Sequence, residues 1–202
     1  AIATATTTNY PGPTSTIQTD LSTCAQLSVF SKPSSYDSKY NRLTISKQIT
    51  LLKIVGQGRY GRVYQARYNN NFVAVKIFPT RDEYSYKREV DLYNTLNLRH
   101  DNLLRFIACD MTSREGEPEL WIVTEFHENG SLYDFLGGNR NSIEQNFGKD
   151  STKTALKILS SAASGLSYLH AKISTTHSFS GKDSIAHRDI KTRNILIKND
   201  FT

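Results

Sequence analysis

The stretch IVGQGRYGRVYQARYNNNFVAVKIF, residues 54–78, decides the fold. Short runs rich in Val, Ile, Tyr and Phe, broken by Gly and Asn, are the pattern of consecutive antiparallel strands. Asn69-Asn70-Asn71 supplies the turn of the second hairpin. Inside this stretch Gly56-Gln57-Gly58-Arg59-Tyr60-Gly61 fits G-x-G-x-x-G, a spacing that several nucleotide-binding loops share and that chance also produces. Glycines let backbone approach phosphate oxygens with no Cβ in the way. The residues that follow separate the readings. In a dinucleotide-binding unit the glycines open a helix, and an acid roughly 20 residues further on binds a ribose hydroxyl. Here Val63 and a strand follow, and the residue at that distance is Lys76, the wrong charge for a ribose hydroxyl and the right one for a phosphate.

Outward from this stretch the chain divides into three. Residues 1–47 are rich in Thr and Ser, carry Pro11, Pro13 and Pro33, and show no sustained periodicity, which is the composition of a solvated linker. Residues 48–124 read as five strands with one helix between the third and fourth. The helix lies in DEYSYKREVDLYNTLNL, with Tyr86, Val90, Tyr93 and Leu96 on one face, and LLRFIACD and ELWIVTEF are the last two strands, separated by the polar loop TSREGEP. After residues 125–130 the pattern turns helical, in SLYDFL and in STKTALKILSSAASGLSYLHAK, whose Leu156, Leu159, Ala163 and Leu166 sit at core spacing. The expected fold is therefore α+β: a small five-stranded lobe, then a mainly helical second lobe over 131–202.

The 202 residues carry a net charge of +6, but Lys and Arg are scattered among acids, which argues against nucleic acid as a partner. Cys24 and Cys109 stand far apart with no second Cys or His at metal-ligand spacing, and no apolar run is long enough to span a bilayer. Starting at Ala1 and stopping in mid-motif, the chain reads as part of a longer one.

A lysine between apolar strand residues needs an acidic partner, because an unpaired buried cation is costly or loses its proton. Glu89, in the middle of the helix, suits this better than Glu83 at its start or Asp91 on another face. Near the end of the chain His187-Arg188-Asp189-Ile190-Lys191-Thr192-Arg193-Asn194 reproduces H-R-D-x-x-x-x-N, the catalytic loop of protein kinases, in order and spacing. Asp189 is expected to accept the proton of the attacking hydroxyl. Asn194 is expected to offer its amide oxygen to Mg²⁺, and Lys191 to neutralise charge on the moving phosphoryl group. Lys191 also favours Ser/Thr over Tyr as acceptor. With the glycine loop and Lys76 in the right order upstream, the pieces form a kinase layout with ATP as donor.

From about Ile49 to Thr202 the chain resembles a eukaryotic protein kinase. GQGRYGRVYQARY, FVAVKIF, RHDNLLRFIACD, ELWIVTEFHENGSLYDFL and IAHRDIKTRNILIKND are similar to the transforming growth factor-β superfamily receptor kinases, the type II branch in particular, and the long insert ISTTHSFSGKDS suits them. The resemblance implies a single-pass receptor of the cell membrane whose span and extracellular growth-factor-binding domain lie upstream, with this segment cytoplasmic and a type I receptor as its substrate. Residues 1–47 then correspond to the juxtamembrane tether. By the same resemblance Thr124 is the gatekeeper, Glu125, Phe126 and His127 form the hinge that binds the base, Ile54 and Val63 cover its ring, Ala74 leaves room for it, and Gly56, Gln57, Gly58 and Gly61 line the phosphates. One departure is that Asp-Phe-Gly does not occur; the family pattern puts it a few residues past Thr202. A naturally truncated, inactive decoy receptor and a cytosolic kinase outside the receptor group are the alternatives.

Overall fold

The structure is a computed structural model, in which residues 44–58, 61–95, 100–114, 116–137, 150–174 and 181–202 are described. Most of the expected linker, Leu96 of the helical face and the tip of the glycine loop, Arg59 and Tyr60, lie outside the described residues. The described residues form two compact units, one from 44–90 together with 106–126, the other from 91–105 together with 127–202.

The first unit holds five antiparallel strands: β1 (Thr50–Gly58), β2 (Gly61–Tyr68), β3 (Asn71–Pro79), β4 (Phe106–Arg114) and β5 (Glu117–Glu125), in the order β1-β2-β3-β5-β4. Alternation fixes which face is buried. Val73, Val75 and Ile77 of β3 pack with Ala66, Ala108, Trp121 and Val123 into one core, each large side chain contributing about 1.5–3 kcal/mol. Ile45 and Ile49 join that core from a 3-10 turn over Ile45–Gln48, pinned where the Ser46 N–H donates to Asp110 Oδ2 at 2.8 Å. The border expected at residues 47/48 therefore falls inside a packed turn, and the folded chain reaches back to Thr44. Ile45 lacks a periodic neighbourhood in the sequence, which is why it reads as tether, whereas Ile49 already opens the first apolar run.

Both hairpins differ from the sequence expectation in detail. Asn69 and Asn70 have φ of 47° and 63°, while Asn71 already pairs with Tyr68, so the turn has two residues rather than three. Positive φ at both central positions is the twist-matched hairpin geometry, and Asn tolerates it. The expected polar loop TSREGEP is largely strand: pairing continues through Thr112↔Glu119 to Arg114↔Glu117, with Gly116 at φ 85° in the turn. Exposed hairpin ends pair through backbone and need no apolar side chains, so composition conceals them.

Helix α1 (Glu83–Thr95) buries Tyr86, Val90 and Tyr93, the i, i+4, i+7 stripe read from the sequence. Tyr86 meets Phe78 edge-on at 5.7 Å.

In the second unit α2 (Leu132–Gly137) opens on a reciprocal cap. The Asp134 N–H donates to Ser131 Oγ at 3.2 Å, and Asp134 Oδ2 accepts from the Ser131 N–H and hydroxyl. Leu132 and Phe135 pack with Ile158 of α3 (Ser151–His170) and with Ile197, while Leu169 of α3 packs with Leu103. Among the described residues Leu156 and Leu159 of the expected stripe are 62% and 61% exposed and Ala163 is exposed too, whereas Ile158, Gly165 and Leu169 are buried and Leu166 is half-buried. Two stripes of α3 have helical spacing, and only the second finds partners among the described residues.

Candidate functional site

Register assembles the site residues of the first unit. Gly56 lies opposite Val63, Val63 opposite Lys76 and Lys76 opposite Ile122; Ala74 lies opposite Thr124. Because side chains alternate along a strand, Val63, Ala74, Lys76 and Thr124 share the face opposite the Val73–Val75–Ile77 core. Ile54 does not join them by pairing, for a bulge between Ile54 and Gly56 sets it opposite Tyr64, where it is half exposed.

Lys76 Nζ meets Glu89 Oε2 at 2.5 Å and sits 4.5 Å from the centre of the Phe78 ring. Glu89 is nearly buried and Lys76 keeps about a quarter of its side chain exposed, so the ammonium is anchored from below and open on its outer side. Glu83 instead pairs with Lys87 along the helix. Phe78, two residues after the lysine and so on the same face, is a contributor the sequence could have revealed by alternation alone.

The three glycines do different work. A Cβ on Gly61, whose φ is 135°, would stand 2.0 Å from the Ile77 carbonyl oxygen, so this glycine is required by the sheet itself. A Cβ on Gly56 would meet only Val63 at ordinary contact distance, and one on Gly58 would meet nothing within 4 Å. Space left open over Gly56 and Gly58, on exposed backbone beside an anchored cation, fits the phosphates of a nucleotide. Gln57 is exposed between them. Thr124 is buried, its hydroxyl donating to the Glu125 carbonyl at 3.3 Å, and Phe126 meets Phe72 edge-on at 6.3 Å.

A second group of expected site residues lies in the other unit. Its hinge residue His127 accepts the Gly130 N–H at 3.1 Å, closing the turn read from Asn129-Gly130. The catalytic-loop motif, irregular apart from a 3-10 turn over Thr192–Asn194, is held by its own side chains. Buried His187 accepts the Asp189 N–H on Nδ1 at 3.3 Å, while Arg188 takes a left-handed φ of 65°. That conformation is costly for a non-glycine residue and typical of functional loops. Lys191 Nζ donates to Asp189 Oδ2 at 2.7 Å, and Asn194 Nδ2 donates to both the carboxylate and the carbonyl of Asp189 at 2.9 Å. The hydrogen bond from Lys191 holds the Asp189 carboxyl below the ordinary aspartate range, outweighing burial, and Asn194 adds to it. With its nitrogen turned to Asp189, Asn194 keeps its amide oxygen as an acceptor for a cation.

The fit to a metal follows from that donor set. Among the described residues no group of three or more His, Cys, Asp or Glu could hold an ion. Mg²⁺, however, keeps several waters and is usually held by one or two carboxylates plus substrate phosphates, so a single amide oxygen beside one carboxylate suits a shared site.

A fold and loop of this kind define a class. Residues 49–202 match the family described as protein kinase domain, and the chain belongs to that family; its five-stranded sheet with few helices is part of the kinase fold. Within it, the chain is 48% identical over 158 residues to "Activin receptor type-1-like" of Mus musculus and 49% identical over 157 residues to "Activin receptor type-1" of Homo sapiens. Each match covers 78% of this chain, and the chain spans under a third of these relatives, 29% and 28%.

Proposed function

We propose that this chain is the kinase segment of a transforming growth factor-β superfamily receptor that transfers the γ-phosphate of ATP to Ser or Thr side chains of a protein. When bound, ATP supplies the phosphoryl group and Mg²⁺ offsets the charge on it. Lys76, steadied by Glu89, holds phosphate oxygens under the backbone of Gly56 to Gly58. Glu125, Phe126 and His127 present hinge backbone to the base beside Val63, Ala74 and Thr124, while Asn194 supplies an oxygen to the metal. Asp189 orients the acceptor hydroxyl and takes its proton. Its lowered pKa keeps it ionised at neutral pH and makes it a weak base, so the proton is taken as the new bond to phosphorus forms. Lys191, held by Asp189, offers its remaining donors to the transferred group. The observation that carries this reading is the Asp189 carboxylate clasped between Lys191 and Asn194.

The relatives bear the name type-1, and this supports the type I branch of the family; the type II branch drawn from sequence phrases has no support among them. On the type I reading the receptor class expected as substrate is the class of this chain itself, so the acceptor is another protein. The growth-factor ligand and the membrane span belong to parts of such a receptor outside these residues. No helix among the described residues is long and apolar enough to cross a membrane. Incubating the full-length protein with ATP, Mg²⁺ and a generic protein acceptor, with Asp189→Asn in parallel, tests the reading. Transfer by the wild type alone supports it, and no transfer by either supports the decoy alternative.

A further inference from the structure

Lys182 lies in the polar insert between α3 and the catalytic loop, where nothing in the local pattern marks it. It is only 4% exposed. Its ammonium donates to three backbone carbonyls, Leu169 at 2.8 Å, Ala171 at 2.6 Å and Asp183 at 3.0 Å, so each of its three protons has one acceptor. The Tyr168 ring lies 5.2 Å away. Two of those carbonyls end α3, where orphan carbonyls and the negative end of the helix dipole both favour a cation. The only carboxylate beside it in sequence, Asp183, is turned outward to Lys172 at 3.2 Å. Burial pushes the Lys182 pKa down, with Asp183 opposing, so carbonyl dipoles carry the compensation.

The surroundings connect this cap to the loop. The Leu169 carbonyl that receives Lys182 also receives the Ile185 N–H at 2.8 Å. Lys182 and Ile173 exchange two backbone hydrogen bonds at 2.8 Å. Ile185 packs against the Leu103–Leu169 cluster, and His187, whose ring holds the Asp189 N–H, follows two residues later. We propose that Lys182 is a positioning residue for the catalytic loop, tying the chain that enters it to the end of α3 so that His187 and Asp189 are set at a fixed height. This rests on the kinase reading above.

Lys182→Met in the full-length protein keeps the length of the side chain and removes the three donors. The expected result is a fall in kcat of about tenfold, as misplacement of a reacting group by a fraction of an ångström produces, with KM for ATP within about twofold because the group around Lys76 is untouched. Hydrogen exchange at the amides of 185–189 should quicken by about tenfold while that of Val75 and Ile122 stays at the wild-type rate. Lys182→Arg, which keeps the charge and part of the cap, should fold and show a smaller fall in kcat with the same unchanged KM; it stands in if the Met variant does not fold. A kcat within about twofold of wild type in the tested variant, a fall in kcat without faster exchange at 185–189, or a parallel change in the sheet amides and KM would overturn the proposal. A wild-type protein that transfers no phosphate indicts the kinase reading instead, and the exchange measurement still reads the cap.

Discussion

The two groups of candidate site residues, one in each unit, are built by opposite means. Around Lys76, strand register does the positioning: Gly56, Val63 and Lys76 follow one another across three strands, with Glu89 and the Phe78 ring as side-chain ties. Around Asp189 the described chain is irregular apart from a 3-10 turn over Thr192–Asn194, and it is held by His187, Lys191 and Asn194 acting on the residue they surround. Away from Lys76 and Glu89, the first group should tolerate changes that do not alter the sheet. In the second, each side chain is both support and chemistry.

That contrast orders the expected effects. Asp189→Asn removes the charge that orients the hydroxyl and the acceptor for its proton, so kcat should fall by about 10²–10⁴-fold; measured in single turnover, a loss below tenfold would place the base elsewhere. Lys76→Arg keeps charge but replaces a compact ammonium with a planar fork that cannot meet both Glu89 and a phosphate from the same point. Activity should drop by more than about tenfold with a thermal midpoint near wild type, and normal activity would remove Lys76 from the site.

The glycines sharpen the comparison within the first group. Gly61→Ala forces a Cβ against the Ile77 carbonyl at a left-handed φ, and should destabilise by more than about 2 kcal/mol in urea unfolding. Gly58→Ala meets nothing, and should lie within about 0.5 kcal/mol of wild type. Equal losses would mean that the loop is not held as described.

The smallest effect concerns acid. Asp189 has a folded pKa below its unfolded value because of Lys191, so the pair's stabilisation is complete above the ordinary aspartate range and disappears as pH falls through the lowered value. Lys191 is half exposed and the pair partly solvated, so Lys191→Ala should cost less than about 1 kcal/mol at neutral pH. The difference from wild type should close on acidification of the metal-free protein. A gap that widens in acid would contradict the sign.

What the sequence revealed follows the same division. Gly56 to Lys76 and the pairing with Glu89 were legible because strand alternation, glycine chemistry and buried charge each leave a local mark. His187 to Asn194 was legible as spacing, yet its left-handed Arg188 and the Asp189–Asn194 bond were not, since irregular backbone has no period. Ile45 and Lys182 were illegible for a related reason: each is isolated in a polar stretch and is buried by partners tens of residues away or by backbone carbonyls. Leu156 and Leu159 find no cover among the described residues because α3 carries two apolar stripes, and spacing alone does not say what packs on each.

The central claim is that this chain belongs to an enzyme phosphorylating Ser and Thr through Asp189. Phosphoamino-acid analysis of a protein acceptor, after reaction with the full-length protein, ATP and Mg²⁺, tests it most directly. The account predicts phosphoserine and phosphothreonine, both lost in Asp189→Asn; predominant phosphotyrosine, or phosphoserine and phosphothreonine that persist undiminished in the variant, would contradict it.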